Sequence, residues 1–116
     1  MKLGDFEVDF SLTNTTNLRK LESAYNKVLE RAQESEKKTL NFIEKTDEEC
    51  NIGRKFFNEV FGEGTDKKLF GEENDYEKIM DTLEEVMQEY QKEQNRLKEK
   101  YAKYSPNRAK RRTKNG

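Results

Sequence analysis

The sequence predicts a mainly α-helical domain over residues 1–104, followed by a basic, disordered tail over residues 105–116. Apolar residues return at steps of three and four, as they do along one face of an amphipathic helix. Only 31% of the chain is apolar and 41% is charged, which suits helices that each bury one narrow stripe. We expect an N-terminal strand or hairpin, then an antiparallel helical hairpin or bundle of two long helices and a shorter, Phe-rich helix.

The opening segment has the pattern of a half-buried β-strand. Phe6, Val8, Phe10 and Leu12 alternate with polar residues, at the period of two that gives a strand its two faces. Gly4-Asp5 precedes this run and can turn the chain so that residues 1–3 form the second arm of a hairpin. Because an isolated hairpin is marginal in water, we expect it to pack on a helix or to pair with a neighbouring chain.

Two helices are predicted in the first half of the chain. The first follows the capping residues 13–16 and extends to Ile43, with a bend or a poorly buried turn over 33–38, where no apolar residue occurs. Thr46 to Glu49 has the spacing of a capping box, so the second helix should begin there. Its expected stop is Gly62, since glycine readily adopts a left-handed backbone conformation.

The second half of the chain should hold a connector and the clearest helix. A single helical turn is expected over residues 65–70, and Asn74 is the predicted cap of a last helix that extends to Tyr104. Pro106 should end that helix, because proline restricts the residue before it and lacks a backbone donor. Two interpretations of the helix are open: antiparallel packing on the first helix, or an intermolecular coiled-coil contact from about Tyr90 onward.

The composition argues against an enzyme. The absence of histidine and the single cysteine, Cys50, remove the commonest general base, the usual zinc ligand sets and any Cys-His pair. Glutamate pairs such as Glu48-Glu49 are interpreted as solvated helix faces, because charged residues are rarely buried. The segment GEGTDKK lacks the spacing of a phosphate-binding loop. We therefore expect no catalytic residue, no cofactor and no metal.

No stretch approaches the roughly 18 apolar residues that a membrane span needs, and the N-terminus lacks the apolar centre of a secretory signal. We expect a cytoplasmic protein that does not enter a membrane. Of the 23 Lys and Arg residues, seven lie from Lys100 onward, which leaves 16 against 24 acids and a net charge of −8 over residues 1–99. The body is therefore acidic and the end of the chain basic.

The basic tail has two equal interpretations. It can contact nucleic-acid phosphates, although without an aromatic residue it has no means of stacking on bases or reading sequence. It can equally be a solubilising segment or a contact for an acidic partner. Its basic residues are Arg108, Lys110, Arg111, Arg112 and Lys114.

A protein-binding surface is the main functional candidate. Four phenylalanines fall within residues 56–70, beside three glycines. An aromatic cluster at helical spacing is usually core, and the alternative is an apolar groove for a partner's helix or for a second copy of the chain. The candidate partner-binding residues are Phe56, Phe57, Phe61, Phe70, Met87, Tyr90, Leu97 and Tyr101.

Two segments resemble a known family: FFNEVFGEGTDKKLFGEEND at residues 56–75 and YSPNRAKRR at residues 104–112. They are similar to small tail assembly chaperones encoded in the tail-gene modules of phages and prophages of Gram-positive bacteria. The resemblance implies a protein that coats apolar helices of the tape-measure protein in the bacterial host cytoplasm until tail-tube subunits displace it. It is compatible with a homo-oligomer.

Two further hypotheses are open. In the first, the chain is a nucleic-acid-associated phage or host protein whose tail contacts phosphate while its helices oligomerise; nucleic acid is not the favoured partner, because the tail carries no aromatic residue. In the second, it inhibits a host defence protein, which composition does not exclude.

Overall fold

The structure, a computed structural model, describes residues 1–105. It confirms a mainly helical fold with an N-terminal hairpin. The predictions for the basic tail fall at residues 106–116, outside the described part of the chain. The elements in chain order are strands β1 (Lys2–Leu3) and β2 (Phe6–Glu7) and helices α1 (Thr15–Glu36), α2 (Phe42–Phe61), α3 (Thr65–Phe70) and α4 (Tyr76–Lys103).

The N-terminal hairpin is shorter than the alternating pattern suggested. β1 and β2 pair antiparallel, with Leu3 opposite Phe6, and Gly4 turns the chain with φ +59°. Strand pairing ends at Glu7, so beyond that residue the alternation of apolar and polar residues no longer decides which side chains are buried. Leu12 is buried, whereas Phe6 is exposed to solvent, contrary to its predicted place on the buried face. As expected, the hairpin packs on a helix, with β1 against α4.

The boundary between the first two helices differs from the prediction. α1 ends at Glu36, and α2 begins at Phe42 behind a different capping box, in which Asn41 Oδ1 accepts from the Glu44 amide at 2.8 Å. The Glu44 carboxylate accepts in return from the Asn41 amide at 3.2 Å. Thr46 lies one turn inside α2, where its hydroxyl donates to the Phe42 carbonyl at 2.8 Å. The apolar-free stretch is therefore the end of a helix and not a bend.

Helix α2 is the central helix of the bundle. α1 and α2 form the helical hairpin, and Arg31 of α1 pairs with Glu59 of α2 at 2.7 Å. Lys38, just after α1, pairs with Glu48 of α2 at the same distance. α4 packs mainly on α2, so the interpretation that it pairs with α1 was wrong. Gly53 explains this preference: a β-carbon there would lie 2.6 Å from Ile79 Cγ2, so glycine allows the close approach of α4 to α2.

The core lies between the helices and under the hairpin. Its buried residues are Leu3, Leu12, Leu21, Ala24, Cys50, Phe56, Phe57, Val60, Phe70, Ile79, Leu83 and Val86. The last of these residues is less than halfway along α4, and none of residues 91–105 is buried. The outer half of α4 therefore extends beyond the core, in a molecule 63 Å long.

Candidate protein-binding surface

The phenylalanine cluster forms the centre of the core and not a surface groove. Phe56 and Phe57 are fully buried, and the ring centroid of Phe57 lies 5.2 Å from that of Phe70 and 6.2 Å from that of Phe61. Phe61 is partly buried and meets Phe10 edge to face at 5.0 Å. The assignment of Phe56, Phe57 and Phe70 as partner-binding residues is therefore corrected, because their rings fill the interior of the folded chain.

The glycine-rich connector after α2 is held by a residue that sequence reasoning missed. Arg54 lies on the buried face of α2, and its guanidinium donates to the carbonyl oxygens of Gly71 and Glu73 at 2.9 and 2.6 Å. It also pairs with Asp66 at 3.2 Å. A lone arginine in the apolar stripe of a helix was the available signal, because a buried charge needs partners.

Arg54 also positions the start of α4. Its Nε donates at 2.7 Å to Asn74, the residue that was predicted to cap α4. The observed cap is Asp75, whose carboxylate accepts from the Lys78 amide at 3.3 Å. The connector, including the FGEGT segment, thus builds the fold and sets where α4 begins.

The predicted residues of α4 divide into two groups. Met87 and Tyr90 pack against the core and are partly buried. Leu97 is half-buried, and Tyr101 is 64% exposed. Tyr104, which was not in the predicted set and lies just beyond the helix, is 85% exposed. Only the second group lies on the part of α4 that leaves the core. The five basic residues Arg108, Lys110, Arg111, Arg112 and Lys114 lie outside the described residues.

A second group of exposed apolar side chains lies where α2 and α4 begin. Phe42 is 84% exposed, Ile43 72% and Tyr76 47%. Phe42 and Tyr76 are the first residues of α2 and α4, and between them lies a cleft of about 640 Å³, named here the Phe42–Tyr76 cleft. Sequence reasoning missed it because residues 42–43 were placed at the end of the predicted first helix and not at the start of α2.

Charged residues surround the apolar floor of this cleft. Its acids are Glu49, Asp75 and Glu77, and its single base, Lys45, pairs with Glu49 at 3.1 Å. The lining therefore carries a net negative charge. An apolar floor with an acidic rim can hold an apolar segment that has basic residues at its edge.

The single cysteine of the chain lies in the core. The Cys50 thiol is fully buried, and burial raises its pKa, which disfavours the thiolate needed for nucleophilic attack. Within residues 1–105 no cluster of three or more potential ligands could hold a metal ion. None of the helices described is both long and apolar enough to cross a membrane.

Comparison with known families places the chain in a family. The model of a family described as "Family of unknown function (DUF6673)" matches residues 4–115, nearly the whole chain. No curated protein and no solved structure matches the chain.

Proposed function

Because the chain belongs to DUF6673, a family of unknown function, we propose a function from its own surface: a non-enzymatic module that binds and shields apolar helical segments of a partner protein. The partner class is the tape-measure protein, for which the chain would act as a tail assembly chaperone. The Phe42–Tyr76 cleft is the observation that carries the proposal. The tail-assembly context comes from the resemblance of segments 56–75 and 104–112.

The exposure of large side chains supports a binding role. Most of the surface of Phe42 and Ile43, and nearly half of that of Tyr76, is exposed to solvent. Burying a large apolar side chain would stabilise the protein by about 1.5–3 kcal/mol. Phe42 and Tyr76 line the same cleft, and exposed apolar surface of this kind marks interaction sites in soluble proteins. The floor lies between two helices, an arrangement that can receive the apolar face of a third.

The charge of the rim supports a specific kind of partner. Glu49, Asp75 and Glu77 surround the apolar floor, so a helix with lysine or arginine beside its apolar stripe would complement it. Charged residues make up 41% of the chain, which would keep a complex soluble while the apolar stripes are covered.

Co-expression tests the proposal. The chain is produced together with the tape-measure product of its own tail-gene module, and the soluble fraction of that product is measured after centrifugation. The wild-type chain should raise this fraction, and Phe42→Asp should abolish the gain. Phe6→Asp is the matched control, because Phe6 is also a large, exposed aromatic residue but lies in the hairpin, outside the cleft.

Two results would overturn the proposal: no gain in solubility with the wild-type chain, or an equal gain with Phe42→Asp. Phe57→Asp is not informative here, because Phe57 is fully buried and the substitution would unfold the chain.

A second candidate function rests on the five basic residues among 106–116. A nucleic-acid-associated protein would bind phosphate through them, and its affinity would fall steeply with salt. Fluorescence anisotropy with labelled duplex DNA and RNA across a salt series measures this directly. Binding that disappears when all five are changed to glutamine would favour this function over the chaperone.

A further inference from the structure

We infer that the Phe42–Tyr76 cleft of one copy receives the C-terminal segment of a second copy, residues 101–116. The cleft is apolar at its floor and acidic at its rim. The segment carries two exposed tyrosines, Tyr101 and Tyr104, followed by five basic residues. The segment therefore combines aromatic and basic side chains, the two kinds that an apolar cleft lined by acids would complement.

Charge complementarity supports this occupant. Five of the 23 Lys and Arg residues lie in 106–116, which leaves 18 against 24 acids, a net charge of −6 for residues 1–105. The last eleven residues carry +5 and no acid. Opposite charges on the two surfaces favour docking of the segment at the rim formed by Glu49, Asp75 and Glu77.

The dimensions of α4 require that the segment come from another copy. Tyr76 and Lys103 are the two ends of α4, about 40 Å apart at a rise of about 1.5 Å per residue. Tyr101 belongs to the far end of that helix, so it does not reach its own cleft. Residues 105–116 would span the same distance only if they were fully extended, at about 3.3–3.6 Å each.

If the α4 helices of two copies pair antiparallel, the cleft of each copy can receive the C-terminal segment of the other. In that arrangement the C-terminal end of each α4 lies beside the N-terminal end of the other, where the cleft opens. The pair is closed and two-fold symmetric, so growth stops at the dimer. It also covers the outer half of α4, residues 91–103, none of which is buried in the single chain.

This inference shares its cleft with the proposed function but does not depend on a client protein. The experiment below contains only this chain, so the two proposals can fail separately. A dimer without client binding would leave the inference standing and overturn the chaperone. Client binding by a strictly monomeric chain would support the chaperone and overturn the inference.

Sedimentation equilibrium of the full-length, nuclease-treated chain is the test, at salt concentrations from about 0.05 to about 1 M, over which charge interactions become screened. Wild type should form a dimer that weakens as salt rises. The cleft variants Phe42→Asp and Glu77→Lys should each raise the dissociation constant by roughly tenfold or more. The tail variant, in which Arg108, Lys110, Arg111, Arg112 and Lys114 become glutamine, should do the same.

An equimolar mixture of a cleft variant and the tail variant gives the decisive measurement. One copy retains an intact tail and the other an intact cleft, so the mixture should form a heterodimer more readily than either variant forms its own dimer. The matched control changes five lysines elsewhere to glutamine, with the same loss of charge, and should dimerise like wild type. These control positions are Lys2, Lys20, Lys37, Lys55 and Lys68.

Three results would overturn the inference: a wild-type chain that is monomeric throughout, a dimer that none of the three variants weakens, or a mixture that forms no heterodimer. Circular dichroism checks that each variant keeps its helical content. Glu77→Lys keeps the test valid if Phe42→Asp misfolds, because Glu77 is an exposed residue in the first turn of α4.

Discussion

Arg54 and Asp66 form a largely buried ion pair, 3.2 Å between Nη1 and Oδ2, that joins helix α2 to the short helix α3. The same guanidinium donates to two carbonyl oxygens of the connector and to the side chain of Asn74. Asn74 directly precedes Asp75, the residue that caps α4. The pair therefore holds the chain segment that brings Tyr76 beside Phe42. We therefore expect formation of the Phe42–Tyr76 cleft to depend on this buried arginine.

Arg54→Met should destabilise the fold strongly. The substitution leaves the carbonyls of Gly71 and Glu73 and the Asp66 carboxylate without their buried donor, a change that typically costs about 3–5 kcal/mol. Urea unfolding measures the free energy of unfolding. Lys55→Met is the matched control, because Lys55 is the next residue of α2 and is exposed; an equal loss in both variants would contradict the assigned role of Arg54.

The free energy of unfolding should fall in acid, partly because the Asp66 carboxylate becomes protonated. Burial opposes ionisation of its carboxyl group, but hydrogen bonds with the Asn58 side chain, Arg54 and the Lys67 backbone hold its pKa below the usual range. The folded pKa is thus lower than the unfolded value of about 3.9, so the stabilisation is present above that pH and is lost as pH falls through the folded pKa.

The pH dependence of unfolding checks this assignment. The wild-type free energy of unfolding should decline below about pH 4, and Asp66→Asn should be less stable at neutral pH with a shallower acid decline. Asp81→Asn, at an exposed position of α4, serves as the control and should follow the wild-type curve. An acid decline identical in wild type and Asp66→Asn would rule out the contribution of Asp66.

Gly53→Ala should lower stability, although helix propensity alone predicts a gain of up to about 1 kcal/mol. The added β-carbon would lie 2.6 Å from Ile79 Cγ2, and such overpacking commonly costs about 1–3 kcal/mol. Ile79→Leu removes the methyl group at that branch with little change in volume. Thermal unfolding should show that Gly53→Ala is less harmful in the Ile79→Leu background than in wild type; equal losses would exclude this contact as the cause.

Asn41→Ala should cost about 1 kcal/mol, because the Asn41 side chain caps the first turn of α2. Thr46→Val should change stability by less than about 0.5 kcal/mol, since Thr46 lies inside the helix and its hydroxyl only supplements a backbone carbonyl. Chemical denaturation of the two variants distinguishes the capping boxes. A larger loss in Thr46→Val would favour the box predicted from sequence over the one in the structure.

Most secondary structure was predictable because its signals are local. The alternating N-terminal residues, the turn of helix over 65–70 and the long seam of α4 each depend on neighbours along the chain, and all three elements are present. The start of α2 was misplaced because two segments with capping-box spacing, 41–44 and 46–49, lie close together. Choosing between Asn41 and Thr46 requires the packing that ends α1 at Glu36.

The candidate site was less predictable, because exposure depends on which other elements cover a residue. The sequence by itself determined a charged, helical chain with a cluster of phenylalanines and a basic end. Only the tertiary structure decided that Phe57 is core, that Phe42 and Tyr76 border a cleft, and that Gly53 is required for packing. Periodicity identifies the apolar face of a helix, whereas the relative positions of the helices decide which part of that face remains open to a partner.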